Sequence, residues 1–303
     1  MTATAERTPA PVARPVVAES APRVTAQVVG TSLTLLAVLL LGFVAHLTLV
    51  SRLQYQRDQQ VAYADLRGEL ANATAPTGQV DPQGRLLAPG TPVAVLRIDK
   101  IGLRQVVLEG TSAGVLTGGP GHRRDSVLPG QPGTSVLLGR RAAYGGPFGR
   151  IDLLSTGDTI NVATGQGEHE YRVQAVRHTG DVVPPPLAPG AGRLTLISAD
   201  GQPFLPQDVL RVDADLVSPA QEVGPRPITA ANLPRTELPM ATDPSAWTPL
   251  LLWSQALFAA VLAFSWLRAR WGRWQAWVTG VPVLAALGAA VADQVSQLLP
   301  NLL

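Results

Sequence analysis

Val28 to Val50, VVGTSLTLLAVLLLGFVAHLTLV, contains no charged side chain and is long enough to cross a bilayer as a helix. Two further apolar runs, Trp247 to Leu267 and Gln275 to about Leu298, stand at the far end of the chain. Whatever lies between must fold between membrane anchors. A cleaved signal sequence would show an apolar region of roughly 7–15 residues followed by a small-residue cleavage site. The 28–50 run is longer and continues into Ser51-Arg52-Leu53, so an uncleaved anchor is expected. The short RARWGRW segment between the last two runs carries Arg268, Arg270 and Arg273, with Trp271, Trp274 and Trp277 beside it. Such an excess of arginine favours the cytoplasmic side, with the tryptophans at the interface. The region between the first and second spans is then extracytoplasmic and the leading tail cytoplasmic. The first span alone leaves this open, because Arg7, Arg14 and Arg23 before it face Arg52 and Arg57 after it. Asp293, counted from Gln275 at about 1.5 Å per residue, falls near the outer boundary, where a carboxylate is cheap. It is expected to be an interface carboxylate.

Residues 1–27 are Ala/Pro/Thr-rich and read as a disordered cytoplasmic tail, before transmembrane helix 28–50. Residues 51–90 read as a juxtamembrane helix, a stalk or one packed on a domain edge, followed by a Pro/Gly linker. Between 91 and 218 the pattern changes to a period of two. Leu96 and Ile98 alternate with Arg97 and Asp99, and Leu210, Val212, Ala214 and Leu216 interleave with Arg211, Asp213 and Asp215. Val106–Gly110, Ile160–Ala163 and Tyr171–Val176 are further short strands, and Gly118–Gly133 is a loop. Thr134–Leu138 and Arg193–Ile197 read as strands entering tight loops, at Gly139 and at Ser198-Ala199-Asp200-Gly201. Short strands with frequent turns predict an all-β barrel or sandwich of roughly eight strands. Residues 219–246 form a Pro-rich linker able to hold the domain off the membrane. Helix 247–267, a basic cytoplasmic loop 268–274 and helix 275–298 complete the architecture.

Four stretches carry a resemblance: VLRIDKIGLRQVVLEG (95–110), GGPGHRRDSVLPGQPG (118–133), TSVLLGRRAAYGGPF (134–148) and RLTLISADGQPFLPQDVLRVDADL (193–216). In order and spacing they resemble the sortase family, most closely the actinobacterial class E-like type, over roughly residues 91–217. Members show a strand with A-G-H-R and then Y-G-x-P-F, an L-T-x-x-T-C strand, and an arginine near the start of the last strand. The resemblance implies a sortase β-barrel and transpeptidation at the cell surface. A cysteine thiolate attacks a peptide carbonyl, a histidine protonates the leaving amine, and an arginine steadies the oxyanion. Here Arg140 stands at the histidine position, Ala199 at the cysteine position and Val209 at the arginine position. Ile98-Asp99 also replaces the usual Ile-Pro.

The composition agrees with that loss. The chain has no cysteine, so neither a thiol nucleophile nor a thiolate metal site is possible. Its four histidines, at 46, 122, 169 and 178, show no metal-ligand spacing, and no cofactor is implied. Arg140 stays protonated and serves neither as base nor as useful acid. Ser198 is a conceivable nucleophile, with Asp200, His122 or His178 as bases, but a solvent-facing loop serine is the plainer reading. His122 matches a non-catalytic family histidine and is read as turn-stabilising. Arg140 and Arg141 are either a solvated pair or a groove cation aimed at a carboxylate. Tyr144, Pro147 and Phe148 are read as packing the loop.

The expectation is therefore a catalytically inactive sortase-like membrane protein that binds an extended peptide or protein tail. Its groove candidates are Arg140, Arg141, Tyr144, Ser198, Asp200 and His122. One alternative is a structural or assembly subunit engaging a membrane partner through 247–267 and 275–298. Another is a transpeptidase or hydrolase using non-standard residues. A net charge of +2 gives no argument for nucleic acid. An Ala/Arg/Pro/Gly-rich, Lys-poor composition fits a high-GC bacterium such as an actinobacterium.

Overall fold

A computed structural model describes residues 37–38, 41–271 and 273–303, with backbone only for 265–271 and 273–277. The chain forms two units, Met1–Leu41 and Gly42–Leu303. The predicted tail 1–27 and residues 28–36, 39 and 40 of the predicted span 28–50 lie outside the described residues, as do the side chains of Arg268, Arg270, Trp271, Arg273, Trp274 and Trp277.

The second unit is built on a closed barrel of eight strands: β1 (Pro92–Ile98), β2 (Leu103–Glu109), β3 (Gly121–His122), β4 (Gly133–Leu138), β5 (Thr159–Thr164), β6 (Gly167–Arg177), β7 (Gly192–Gln202) and β8 (Leu205–Leu216). Around the barrel the order is β1-β2-β3-β4-β7-β8-β6-β5. β4 and β7 are parallel, with Leu137 opposite Leu196, while β7 and β8 form a long antiparallel hairpin. The alternation read from sequence sorts the faces as expected. Leu96, Ile98, Leu137, Leu194, Leu196, Leu210, Val212 and Ala214 fill one buried core with Phe148, Ile160, Tyr171 and Val173.

The predicted 118–133 loop contains the two-residue strand β3, which joins β2 to β4. β2 leaves Val106 without a strand partner at this edge, and α1 (Ser51–Ala71) supplies one. Gln59 accepts from the Val106 N–H at 2.7 Å and donates to the Val106 carbonyl at 3.0 Å and the Gly118 carbonyl at 2.8 Å. Leu66 is fully buried against Val106 and Leu108. The helix is thus packed on the barrel, the second of the two forms expected of it.

Two predicted features differ. Residues 219–246 are not a free spacer. The Ile228 N–H and carbonyl pair with the Gln79 side chain, Arg226 donates to the Asp125 carbonyl, and Thr111 donates to the Glu237 carbonyl. A proline-rich segment lacks donors for a sheet, but its carbonyls remain good acceptors for side chains already on the barrel. Nor is 268–274 an open loop: α2 (Trp247–Trp271) runs through Arg268 and Arg270, and α3 (Arg273–Gln297) begins at once. Two windows are long and apolar enough to span a membrane, Pro244–Phe264, which begins in the turn before α2, and Val278–Gln297 in α3. They pack closely, since a Cβ on Gly280 would fall 2.1 Å from the Phe264 ring.

Candidate functional site: the outer face of β4, β7 and β8

β4, β7 and β8 each turn one set of alternating side chains to the core and the other outward. The outward set is Val136 and Leu138 on β4, Ile197 and Ala199 on β7, and Val209 on β8. Ala199 and Val209 are direct cross-strand partners. Arg140 follows two residues after Leu138, which pairs with Ile197. The three positions that the sequence resemblance sets at the histidine, cysteine and arginine therefore converge at one end of this face. None of Arg140, Ala199 and Val209 is more than 7 % exposed.

Arg140 is neither a solvated cation nor one open to an incoming carboxylate. It is fully buried, donates from Nη2 to the Ala113 carbonyl at 3.0 Å, and lies 5.0 Å from the centre of the Tyr144 ring. Burial pulls its guanidinium down to about 10, against the favourable fields of Tyr144 and Asp293, so it stays charged at neutral pH. Tyr144 holds this position by an unusual backbone, φ 50°, between turn residues Ala143 and Gly145. Its hydroxyl donates to Asp293 Oδ1 at 3.0 Å and lies 2.8 Å from Ser296 Oγ. Asp293 thus has a specific partner on the barrel. Phe148, predicted to pack, does so against Gly139: a Cβ on that glycine would fall 2.5 Å from the ring.

Ser198 is also corrected. β7 continues to Gln202, so Ser198 to Gly201 lie on the strand. Alternation turns Ser198 away from Ala199, and the serine is fully buried, donating to the Gly139 carbonyl at 3.0 Å. Neither histidine faces it as a base. His178 pairs instead with Asp200 at 2.5 Å, which raises the imidazole and lowers the carboxyl. His122 is buried on β3 against Glu109 at 2.8 Å, the Val127 carbonyl at 2.9 Å and Ser126 at 3.1 Å. Its role is to stitch β3 to the following loop. Arg141 donates to the Ala199 carbonyl at 3.2 Å and lies 3.4 Å from Asp152.

The face is covered by the segment that follows α3. Leu302 is fully buried in one apolar cluster with Leu116, Val136, Leu138, Ile197, Ala199 and Val209, with Met240 at its margin. The Arg141 N–H donates to the Leu302 carbonyl at 2.9 Å. Asn301 donates from Nδ2 to the carbonyls of Thr236 at 2.7 Å, Leu238 at 3.1 Å and Thr111 at 3.3 Å. Sequence reasoning missed Asn301, Leu302 and Leu116. The only trace was a polar Asn301 set among leucines just beyond the predicted end of the last span. Open clefts elsewhere flank α1, beside Arg57 and Val115 or beside Tyr63 and Glu168, and none of the three convergent positions lines them.

Residues 96–204 match the sortase domain family. The barrel is a sortase-family domain. Sortase D of Bacillus subtilis (strain 168) is 34 % identical over 84 residues, which is 28 % of this chain and 41 % of that protein. The chain therefore spans about two fifths of that relative's length. Among solved structures, sortase E from Streptomyces avermitilis is 30 % identical, with a TM-score of 0.38 over 44 % of this chain and 91 % of that one. The Clostridium perfringens sortase D5 transpeptidase is 20 % identical, with a TM-score of 0.44 over 54 % of this chain and 99 % of that one. In this sortase domain the outer face is apolar, small at Ala199, and filled.

Proposed function

We propose that this chain is a membrane-anchored sortase-domain protein that performs no acyl transfer and whose groove holds a peptide segment. The observation that carries the reading is the floor itself: Ala199 pairs with Val209, and the fully buried Leu302 belongs to the same apolar cluster. Acyl transfer needs a nucleophile, a proton carrier and an oxyanion donor at one point. An alanine, a buried guanidinium under a tyrosine ring, and a valine supply none of the first two and no aligned third. Ser198 has the right element but the wrong face. The alternative of an unconventional enzyme therefore loses its best nucleophile.

The barrel is assigned to the extracytoplasmic side on the arginines at 268, 270 and 273, which mark the α2–α3 junction as cytoplasmic. Asp293 and Ser296 would then sit at the outer boundary, where Tyr144 meets them. Apolar side chains exposed along α2, including Leu251, Leu252, Phe258 and Leu262, are met by lipid in this arrangement. The same surface would serve the assembly-subunit reading.

The test uses the full chain in nanodiscs, incubated with a peptide pool and an excess of a small amine. Intact mass should show no acyl adduct on the protein and no new amide among the peptides. An adduct mapped to Ser198 would overturn the reading.

A further inference from the structure

The segment over the outer face is held by three kinds of contact that together define a ligand. The main chain is gripped from both sides, by the Arg141 N–H on the Leu302 carbonyl and by the Ala241 carbonyl, which accepts from the Asn301 N–H at 2.9 Å. The Asn301 side chain points a donor into three backbone carbonyls, from Thr111, Thr236 and Leu238. A carboxylate there would face only acceptors, and an aliphatic side chain would leave them bare. Leu302 is fully buried in the apolar cluster that contains Ala199 and Val209.

We propose that this groove is a recognition site for a segment that turns at an asparagine followed by a large aliphatic residue, and that Asn301-Leu302, at the centre of the turn closed by the Leu303 N–H on the Pro300 carbonyl at 3.0 Å, is its tethered occupant. Partner segments of the same chemistry bind only by displacing it. The inference deepens the peptide-binding reading above and rests on it. The tether is short: α3 ends at Gln297, and Leu298 still closes on Val295. A ligand on so short a link competes at an effective concentration in the millimolar range. Even a weak intrinsic affinity then keeps the groove closed to dilute peptides. Tyr144 on Asp293 and Ser296 fixes the end of α3 from which the tether leaves.

The experiment uses the full chain in nanodiscs and a fluorescein-labelled peptide of sequence Gln-Leu-Leu-Pro-Asn-Leu-Leu, that of residues 297–303. Anisotropy should show the Asn301→Ala/Leu302→Ala protein binding this peptide at least tenfold more tightly than the parent, a difference of ~1.4 kcal/mol. The same peptide with both residues changed to alanine should not bind. Adding Val209→Arg to the tail variant should abolish binding by filling the site. If the tail variant, folded by its near-ultraviolet dichroism, binds the peptide no better than the parent, the tethered-ligand assignment falls. A random peptide pool then separates the two claims: capture of other peptides keeps the peptide-binding reading, and capture of none sinks both. Should the tail variant fail to fold, Ala199→Cys/Leu302→Cys supplies the only thiols in the chain. A short bis-maleimide should bridge them within one molecule, and failure to do so would overturn the assignment.

Discussion

Leu302→Ala gives the most quantitative test of how the segment after α3 is held. The substitution removes three carbons from a fully buried side chain. At ~0.8 kcal/mol per carbon the loss is about 2.4 kcal/mol. The segment can leave its site, so the penalty for an unrelaxed cavity does not add in full. Docking should weaken by roughly 50-fold on this figure. One amide reports it directly, because the Arg141 N–H donates to the Leu302 carbonyl and exchanges only when that contact opens. Hydrogen exchange resolved to single residues should show Arg141 accelerating by up to ~50-fold. Asn301→Ala should act in the same place. Its Nδ2 has two protons for three carbonyls, and at ~0.5–1.5 kcal/mol per bond the loss is about 1–3 kcal/mol. The Val173 and Val212 amides, on β6 and β8 of the main core, should not change. Unchanged protection at Arg141, or equal acceleration at all three amides, would refute local docking of this segment.

Two further outcomes follow from the barrel. Gly139→Ala drives a Cβ to 2.5 Å from the fully buried Phe148 ring. Overpacking of this kind costs about 1–3 kcal/mol, so thermal unfolding should move down by roughly 3–10 °C, and Phe148→Leu in the same chain should recover part of it; an unmoved transition would contradict the packing. His122 supplies a pH dependence: burial opposes its protonation, but Glu109 at 2.8 Å and the Val127 carbonyl outweigh it and hold the imidazole above its ordinary 6.5. A group raised in the fold gives stability that is whole below its unfolded value, about 6.5, and lost as pH rises through the folded one. Melting followed upward from about pH 6 should therefore decline more in the parent than in His122→Gln, and parallel curves would count against a protonated His122–Glu109 pair.

The barrel was legible in the sequence because strand alternation is local. Leu210, Val212 and Ala214 are on the core face as their spacing predicts, and the sortase motifs fall on the strands that meet at Ala199 and Val209. What was not legible depended on residues far apart. Arg140 looks solvated from its neighbour Arg141, but Tyr144 and Ala113 cover it. Ser198 looked like a loop residue because glycine and proline follow it, yet pairing with β8 carries the strand to Gln202. The 219–246 segment has the composition of a spacer. It is fixed by Gln79 and Thr111, whose side chains give no hint in sequence of so distant a partner. Asn301 and Leu302 lie 102 and 103 residues beyond Ala199 and Ala199 itself offers no heteroatom to suggest a ligand. Only the fold places them together.

The measurement that bears most directly on the central claim is photo-crosslinking in cells from a small diazirine side chain at position 199. Mass spectrometry would identify what is trapped. A groove that binds peptide without chemistry predicts discrete products: residues 298–303 of the same chain in the parent, and a defined partner peptide once Asn301 and Leu302 are changed to alanine. Capture of lipid alone, or of nothing, from folded protein in both backgrounds would contradict it.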